Sequence, residues 1–183
     1  MSRPVATEET SISGSRARPA LVAVAFMAAL FAGGTFVAPV LDGAGVRWGK
    51  LLRLVYAPAC HQLPHRSLSI GGGPQAVCAR CAGLYLGGAA GLVAGALLLY
   101  RSGRGPRALW LGVAVAPLIV EWALPRLGLP GLANVPRLLL ALPAGTLAGL
   151  FLAEGVTSLF SSEPYPRETF ARGPSRMLED ADG

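Results

Sequence analysis

Residues 82–100 read AGLYLGGAAGLVAGALLLY, a stretch without a charged side chain. An α-helix rises about 1.5 Å per residue, so about 20 apolar residues cross a hydrocarbon core of about 30 Å. The stretch therefore predicts a transmembrane helix. Its glycines recur every fourth residue, at Gly83, Gly87, Gly91 and Gly95. Such a smooth stripe lets another helix approach closely, so we expect it to contact a partner helix or a second copy of the chain.

The rest of the chain is equally apolar. Of its 183 residues, 52% are hydrophobic and only 14% are charged, whereas about a quarter are charged in soluble domains. We predict one membrane domain, 19–160, between disordered polar tails at 1–18 and 161–183. Its four predicted spans are 19–41, 82–100, 108–124 and 138–160.

The first span could alternatively belong to a secretory signal peptide, because Arg16 and Arg18 precede it. Its apolar run is too long for a typical signal sequence, so we favour a retained helix.

A short segment after the first span is amphipathic. Arg47, Lys50 and Arg53 recur every third residue, and Trp48 and Leu51 fall on the opposite side. This pattern is typical of a helix that lies in the membrane interface. We therefore predict an all-α integral membrane protein of four transmembrane helices plus a short amphipathic interfacial helix, with the lipid bilayer as its partner.

The net charge of +6 does not indicate nucleic-acid binding. The arginines are scattered over loops and tails without a nucleic-acid-binding motif, and positive charges commonly flank membrane helices.

The loop at 58–81 contains all three cysteines and both histidines. Zinc prefers about four thiolate and imidazole ligands. Cys78 and Cys81 form a C-x-x-C turn, and the glycines at 71–73 let Cys60 fold back towards it. Together with His65 or the alternative His61, the three thiols predict a Cys3His site for zinc or another transition metal.

The same sulfur atoms fit a redox enzyme. A C-x-x-C at the start of a helix has a thiolate stabilised by the helix dipole, so Cys78 and Cys81 are candidate catalytic residues with Cys60 as the resolving thiol. Membrane enzymes that form disulfides typically use a second cysteine pair, which this chain lacks. Haem attachment does not fit, because Ala82 stands where a c-type site needs histidine. Cysteines that only pack or crosslink the loop remain an alternative.

With four spans, the cysteine loop and the loop after the third span share one membrane face, opposite both termini. Glu121 is costly inside a membrane. Arg137 is its natural partner, and the equal alternative is a Glu121 side chain that extends to the interface at the helix end. We expect the residues surrounding the thiols to be Arg66, Arg80, Glu121, Asn134 and Arg137. A small-molecule or ion carrier gated by Glu121 and Arg137 is a third possible function.

Lysine and arginine number nine on the side of the termini and seven on the other side. The positive-inside rule then favours cytoplasmic termini in a multi-pass protein of the cell membrane.

Two motifs resemble a known family. Cys60-His61-Gln62, Pro64 and Arg66-Ser67 precede Cys78-Ala79-Arg80-Cys81 with Gly83 and Tyr85, and Asn134-Val135-Pro136-Arg137 follows. This pattern is similar to that of the domain of unknown function 2085 family, small prokaryotic integral membrane proteins. It covers roughly residues 55–149. Glu121 stands where the family pattern has Asp-Gly, and the triple-glycine turn replaces a more aromatic segment. The resemblance implies a shared site of cysteine, histidine and arginine at one membrane face, and no particular reaction.

Overall fold

A computed structural model describes residues 9–102 and 108–160, without the side chains of 9–16, 99–102 and 108. In this part of the chain there are five α-helices: α1 (Glu9–Gly43), α2 (Trp48–Tyr56), α3 (Ala79–Ser102), α4 (Ala108–Ala123) and α5 (Asn134–Phe160). Short 3-10 helices at Pro64–Arg66 and Leu124–Leu127 and a small hairpin of β1 (Ser69–Ile70) and β2 (Gly73–Pro74) complete it.

Four helices have the length and apolar composition to cross a membrane. Their apolar parts are Ala17–Gly43, Ala79–Leu98, Leu109–Leu127 and Asn134–Phe160. The protein is an all-α integral membrane protein with four transmembrane helices, as the sequence predicted. The amphipathic helix is α2, on which Trp48, Leu51 and Leu54 are exposed, as expected for side chains that contact the membrane interface.

Helix α1 begins at Glu9, within the stretch predicted to be a disordered tail. Extending an existing helix fixes one residue per added hydrogen bond and is therefore much cheaper than nucleating one. The apolar span thus carries the helix into a polar segment that has no periodicity of its own. The rest of that predicted tail, 1–8, and the predicted tail at 161–183 lie outside the described residues.

The centre of the bundle is the contact between α3 and α5. A Cβ atom added at Gly83, Gly87 or Gly91 would press against a backbone carbonyl of α5, and Gly145 and Gly149 of α5 meet the backbone of α3 in the same way. Both helices are thus smooth where they touch, which allows close backbone packing. Helix α5 of the same chain therefore covers Gly83, Gly87 and Gly91 of the glycine stripe, for which a partner helix or a second copy was expected.

The two outer helices are attached differently. Helix α1 packs against α2, α3 and α5, whereas α4 packs mainly against α5. The end of α4 approaches the start of α3 through polar side chains. These polar contacts form part of the candidate site.

The glycines at 71–73 form an ordered hairpin in the structure. Ile70 pairs with Gly73, and the two residues between them, Gly71 and Gly72, have φ values of 60° and 83°. Two consecutive positive φ values are typical of a type I′ turn, which suits two-residue hairpins and requires residues such as glycine. The hairpin reverses the chain between Cys60 and Cys78.

Polar contacts attach this loop and α2 to α1. Gln75 is fully buried, and its Nε2 donates a hydrogen bond of 3.1 Å to the Thr35 hydroxyl. Arg53 of α2 forms an ion pair with Asp42 and donates to the Pro74 carbonyl. The Tyr56 hydroxyl donates a bond of 2.6 Å to the Phe31 carbonyl. These contacts fix the loop at the membrane face.

Candidate thiol and arginine site

Three thiols meet where α2, the loop and α3 converge. Cys60 follows α2, Cys78 immediately precedes α3, and Cys81 lies in the first turn of α3. Their sulfur atoms all lie within 4.8 Å of one another. The backbone N–H of Cys78 donates a hydrogen bond of 3.2 Å to the Cys60 sulfur. The structure therefore brings together the three cysteines of the sequence, each as a free thiol.

Their surroundings favour one thiolate. The Cys81 side chain forms a hydrogen bond with the Cys78 thiol, and this bond lowers the pKa of Cys78 to about 5 although burial of the thiol acts in the opposite direction. Backbone N–H groups of Arg80 and Cys81 and the Cys60 thiol contribute in the same direction. These N–H groups belong to the first turn of α3, where donors lack partners within the helix. Cys78 is therefore the thiol most readily deprotonated at neutral pH.

The histidines lie outside this group of sulfur atoms. Both residues are exposed. His61 lines the same cavity as the thiols, whereas His65 lines a separate, more open depression beside Asn134. Of the two alternatives for a fourth ligand, His61 is thus the one that shares a cavity with the sulfurs.

Beside the thiols, one buried carboxylate joins three helices. Glu121, near the end of α4, is only 2% exposed. Its Oε1 accepts a hydrogen bond of 2.8 Å from Arg137 Nε at the start of α5, and its Oε2 accepts one from Arg80 Nη2 at the start of α3. The pair between Glu121 and Arg137 was expected from the sequence, and Arg80 is a second partner. Two cations facing one anion leave one positive charge in excess.

Asn134 and Arg66 have different surroundings. The Asn134 side chain donates a bond of 2.9 Å to the Ser67 carbonyl and a longer one of 3.4 Å to the His65 carbonyl. It therefore attaches the cysteine loop to the start of α5, and in the described residues its hydrogen bonds go to the loop backbone and not to a thiol. Arg66 is exposed and lines the cavity that contains the thiols.

This cavity has a volume of about 590 Å³. It opens at the membrane face that holds the ends of α2 and α4 and the start of α3. Its charged and sulfur-bearing lining residues are Cys60, Arg66, Cys78, Arg80, Cys81, Glu121, Arg126 and Arg137. The thiols and the arginines therefore face a common space of a size that fits a small organic molecule.

Two features of this cavity were not expected from the sequence. Gln62 has a φ of 52°, which is unfavourable for a residue with a side chain, and its Nε2 donates to the Arg53 carbonyl. Arg126 lies 3.4 Å above the centre of the Trp122 ring, and its Nη1 donates a bond of 2.8 Å to the Trp122 carbonyl. The spacing of Trp122 and Arg126, four residues apart at a helix end, could have suggested the stacking. We find no sequence signal for the backbone of Gln62.

The donor set suits a soft divalent metal. In a tetrahedral site with zinc–sulfur distances of about 2.3 Å, the sulfurs lie roughly 3.8 Å apart. The three thiols are near enough to reach such a geometry by small side-chain rotations. They would supply three ligands, and the fourth position would be left to an imidazole or to solvent.

Comparison with known proteins agrees with the motifs. Residues 60–151, which include the three thiols and the two ion pairs of Glu121, match the family described as a predicted membrane protein, DUF2085. The chain belongs to the DUF2085 family. The chain is also similar to the uncharacterized protein MJ1492 of Methanocaldococcus jannaschii. The two sequences are 34% identical over 117 residues, which cover 63% of this chain and 72% of that protein. No solved structure matches the chain.

Proposed function

We propose that this DUF2085 protein binds a transition metal of the zinc type through Cys60, Cys78 and Cys81 at one membrane face. The observation that supports the proposal is the convergence of three sulfur atoms within 4.8 Å. Two of them flank a helix start and the third comes from a segment separated by a hairpin, so the fold holds all three in place. Thiolates select soft and borderline metals such as zinc.

For the fourth ligand we propose His61, which shares the cavity with the thiols. It follows Cys60 directly, and its exposed imidazole would turn towards the sulfurs in this arrangement. His65 is the alternative, and it would require movement of the 3-10 turn in which it lies. If neither imidazole binds, solvent would occupy the fourth position, as in catalytic zinc sites.

Metal analysis of the protein purified in detergent tests this proposal. We expect close to one equivalent of metal, and its loss in C78S and in C60S. Cobalt(II) replacement should give intense sulfur-to-metal charge-transfer absorption. H61A and H65A form a matched pair, and only H61A should change the visible cobalt spectrum. A protein that contains no metal and gives no cobalt–thiolate absorption would contradict the proposal.

A thiol-disulfide oxidoreductase is a second candidate, and the lowered pKa of Cys78 favours it. In this reaction Cys78 and Cys81 would join in a disulfide and release two electrons and two protons to an acceptor of the quinone class in the bilayer. As the resolving thiol, Cys60 would then attack Cys78 in that disulfide, forming a Cys60–Cys78 disulfide and releasing Cys81 as a thiolate that takes up the Cys60 proton. Alkylation of protein taken from cells under oxidising and reducing conditions should reveal a disulfide that forms and disappears. A pair that stays fully reduced under both conditions would argue against it.

For the location, we propose the cell membrane with both termini in the cytoplasm. The support is the larger number of basic residues on the side of the termini, nine against seven. The thiols would then face the outside of the cell. Labelling of cysteines with a membrane-impermeant maleimide on intact cells tests this orientation, since only outward-facing thiols would react.

A further inference from the structure

The thiol cavity carries more positive charge than its own carboxylate can balance. Four guanidinium groups line it, those of Arg66, Arg80, Arg126 and Arg137, against the one carboxylate of Glu121. Three positive charges are therefore in excess over the carboxylate, and two are in excess when the Cys78 thiol is ionised. If the thiolates held a divalent metal, that centre would carry one negative charge, and two positive charges would still be in excess.

Two of these arginines are held in place by Glu121 and keep donors for a further acceptor. Arg137 and Arg80 each use one N–H on the carboxylate, and a guanidinium has five. The Arg80 Nε is buried and has no hydrogen-bond partner in the described residues. A buried N–H without an acceptor costs free energy, so Arg80 would be stabilised by an oxygen atom brought into the cavity.

The other two arginines have no carboxylate partner in the described ranges 9–102 and 108–160. Arg126 is fixed by its stacking on Trp122, which orients the guanidinium without neutralising it. Arg66 is exposed, and it lies in the 3-10 turn that follows His61. Arginine presents paired N–H groups that match the oxygens of phosphate and carboxylate.

From these observations we propose that the cavity binds the phosphate monoester group of a small molecule or a lipid headgroup. A phosphate monoester carries about −1.5 to −2 charges at neutral pH, which matches the excess of two to three positive charges, whereas a single carboxylate would balance only one. The cavity of about 590 Å³ leaves room for an organic group beside the phosphate. Apolar residues such as Leu63 and Trp122 line part of its wall. The proposal rests on guanidinium groups and does not require a bound metal.

Calorimetric titration in a sugar-headgroup detergent, which contributes no phosphate, tests the proposal. One arm uses inorganic phosphate, and the other uses short-chain phosphatidic acid in mixed micelles, with phosphatidylcholine as the lipid control. R66Q and R126Q should each weaken phosphate binding about tenfold, as expected for the loss of a charge-assisted hydrogen bond. R47Q is the matched control, because Arg47 is exposed before α2 on the same membrane face and does not line the cavity.

Both arms have defined outcomes. Arginine-dependent binding of inorganic phosphate identifies a soluble phosphate compound as the ligand class, and binding of phosphatidic acid alone identifies the lipid headgroup. Absence of binding in both arms would overturn the proposal, as would an equal loss in R47Q. Metal content is measured in the same samples. If metal is absent while R66Q and R126Q still weaken phosphate binding, the metal proposal fails and this one stands.

Discussion

Replacement of Glu121 by glutamine tests the ion pairs that join α3, α4 and α5. The amide would place an N–H₂ group against one of the two guanidinium groups and would remove the negative charge between them. Breaking a buried ion pair costs about 3–5 kcal/mol. Glu121 is 2% exposed, but the side chains of Arg137 and Arg80 are 14% and 30% exposed. Because water can partly solvate the released arginines, we expect E121Q to lower the free energy of unfolding by about 3 kcal/mol, at the low end of that range.

Thermal unfolding of the purified protein in detergent measures this loss. For a chain of this size each kcal/mol lowers Tm by about 2–4 °C, so E121Q should unfold about 10 °C below the wild type. The control is E154Q, which removes an acid from an exposed position on α5, and its Tm should fall by less than about 2 °C, because loss of an exposed side chain without a buried partner costs at most about 0.5 kcal/mol. If E121Q and E154Q unfold at the same temperature, the buried ion pairs do not stabilise the bundle and our reasoning is refuted.

Three further predictions concern the packing, the backbone and the thiols. G87A adds a methyl group against the α5 backbone, where overpacking costs about 1–3 kcal/mol, whereas G112A adds one in open space. Chemical denaturation should therefore show a loss of stability in G87A and not in G112A. At Gln62, whose φ is 52°, Q62G should be more stable than Q62A by about 1 kcal/mol, because the left-handed conformation is strained in alanine and not in glycine; equal denaturation midpoints would argue against backbone strain there. In metal-free protein, alkylation of Cys78 followed by peptide mass spectrometry should accelerate as the pH rises through about 5 and level off above about pH 7, since its pKa is lowered. C81A removes the thiol that stabilises this thiolate and should shift the rise to higher pH; an unchanged profile would exclude that cause.

The membrane architecture could be predicted from the sequence because it depends on simple physical requirements. A helix must be long and apolar to cross a bilayer, and this requirement is visible as uncharged runs. The charge pattern around Trp48 similarly indicated the interfacial helix. The start of α1 could not be placed, because helix extension into a polar segment leaves no pattern. Which helix covers the glycine stripe also required three-dimensional packing, since the sequence is equally consistent with a second copy.

Part of the candidate site could be predicted from the sequence for the same reason. The loops after the first and third spans must lie on the same side of the membrane, so the cysteine loop and Glu121 could be assigned to one face. The rarity of charge in membrane helices singled out Glu121 and its partner Arg137. The involvement of Arg80 and the stacking of Arg126 on Trp122 depend on how α3 and α4 approach each other. That approach is set by packing of α5 between them, which no local sequence pattern describes. The roles of His61 and His65 as ligands remain predictions.

The close contact between α3 and α5 has a consequence for biogenesis. Ribosomes deliver membrane segments in chain order, so α3 enters the bilayer before its main neighbour has been synthesised. Until α5 arrives, the smooth face of α3 is covered by lipid chains, which fill the glycine notches poorly. The thiol loop is complete by then, but the side of the cavity that contains Arg137 is missing. Nascent chains that have not yet been extended to residue 134 would therefore be recognised by the insertion machinery or by proteases. Final assembly would begin only when the last span enters the membrane.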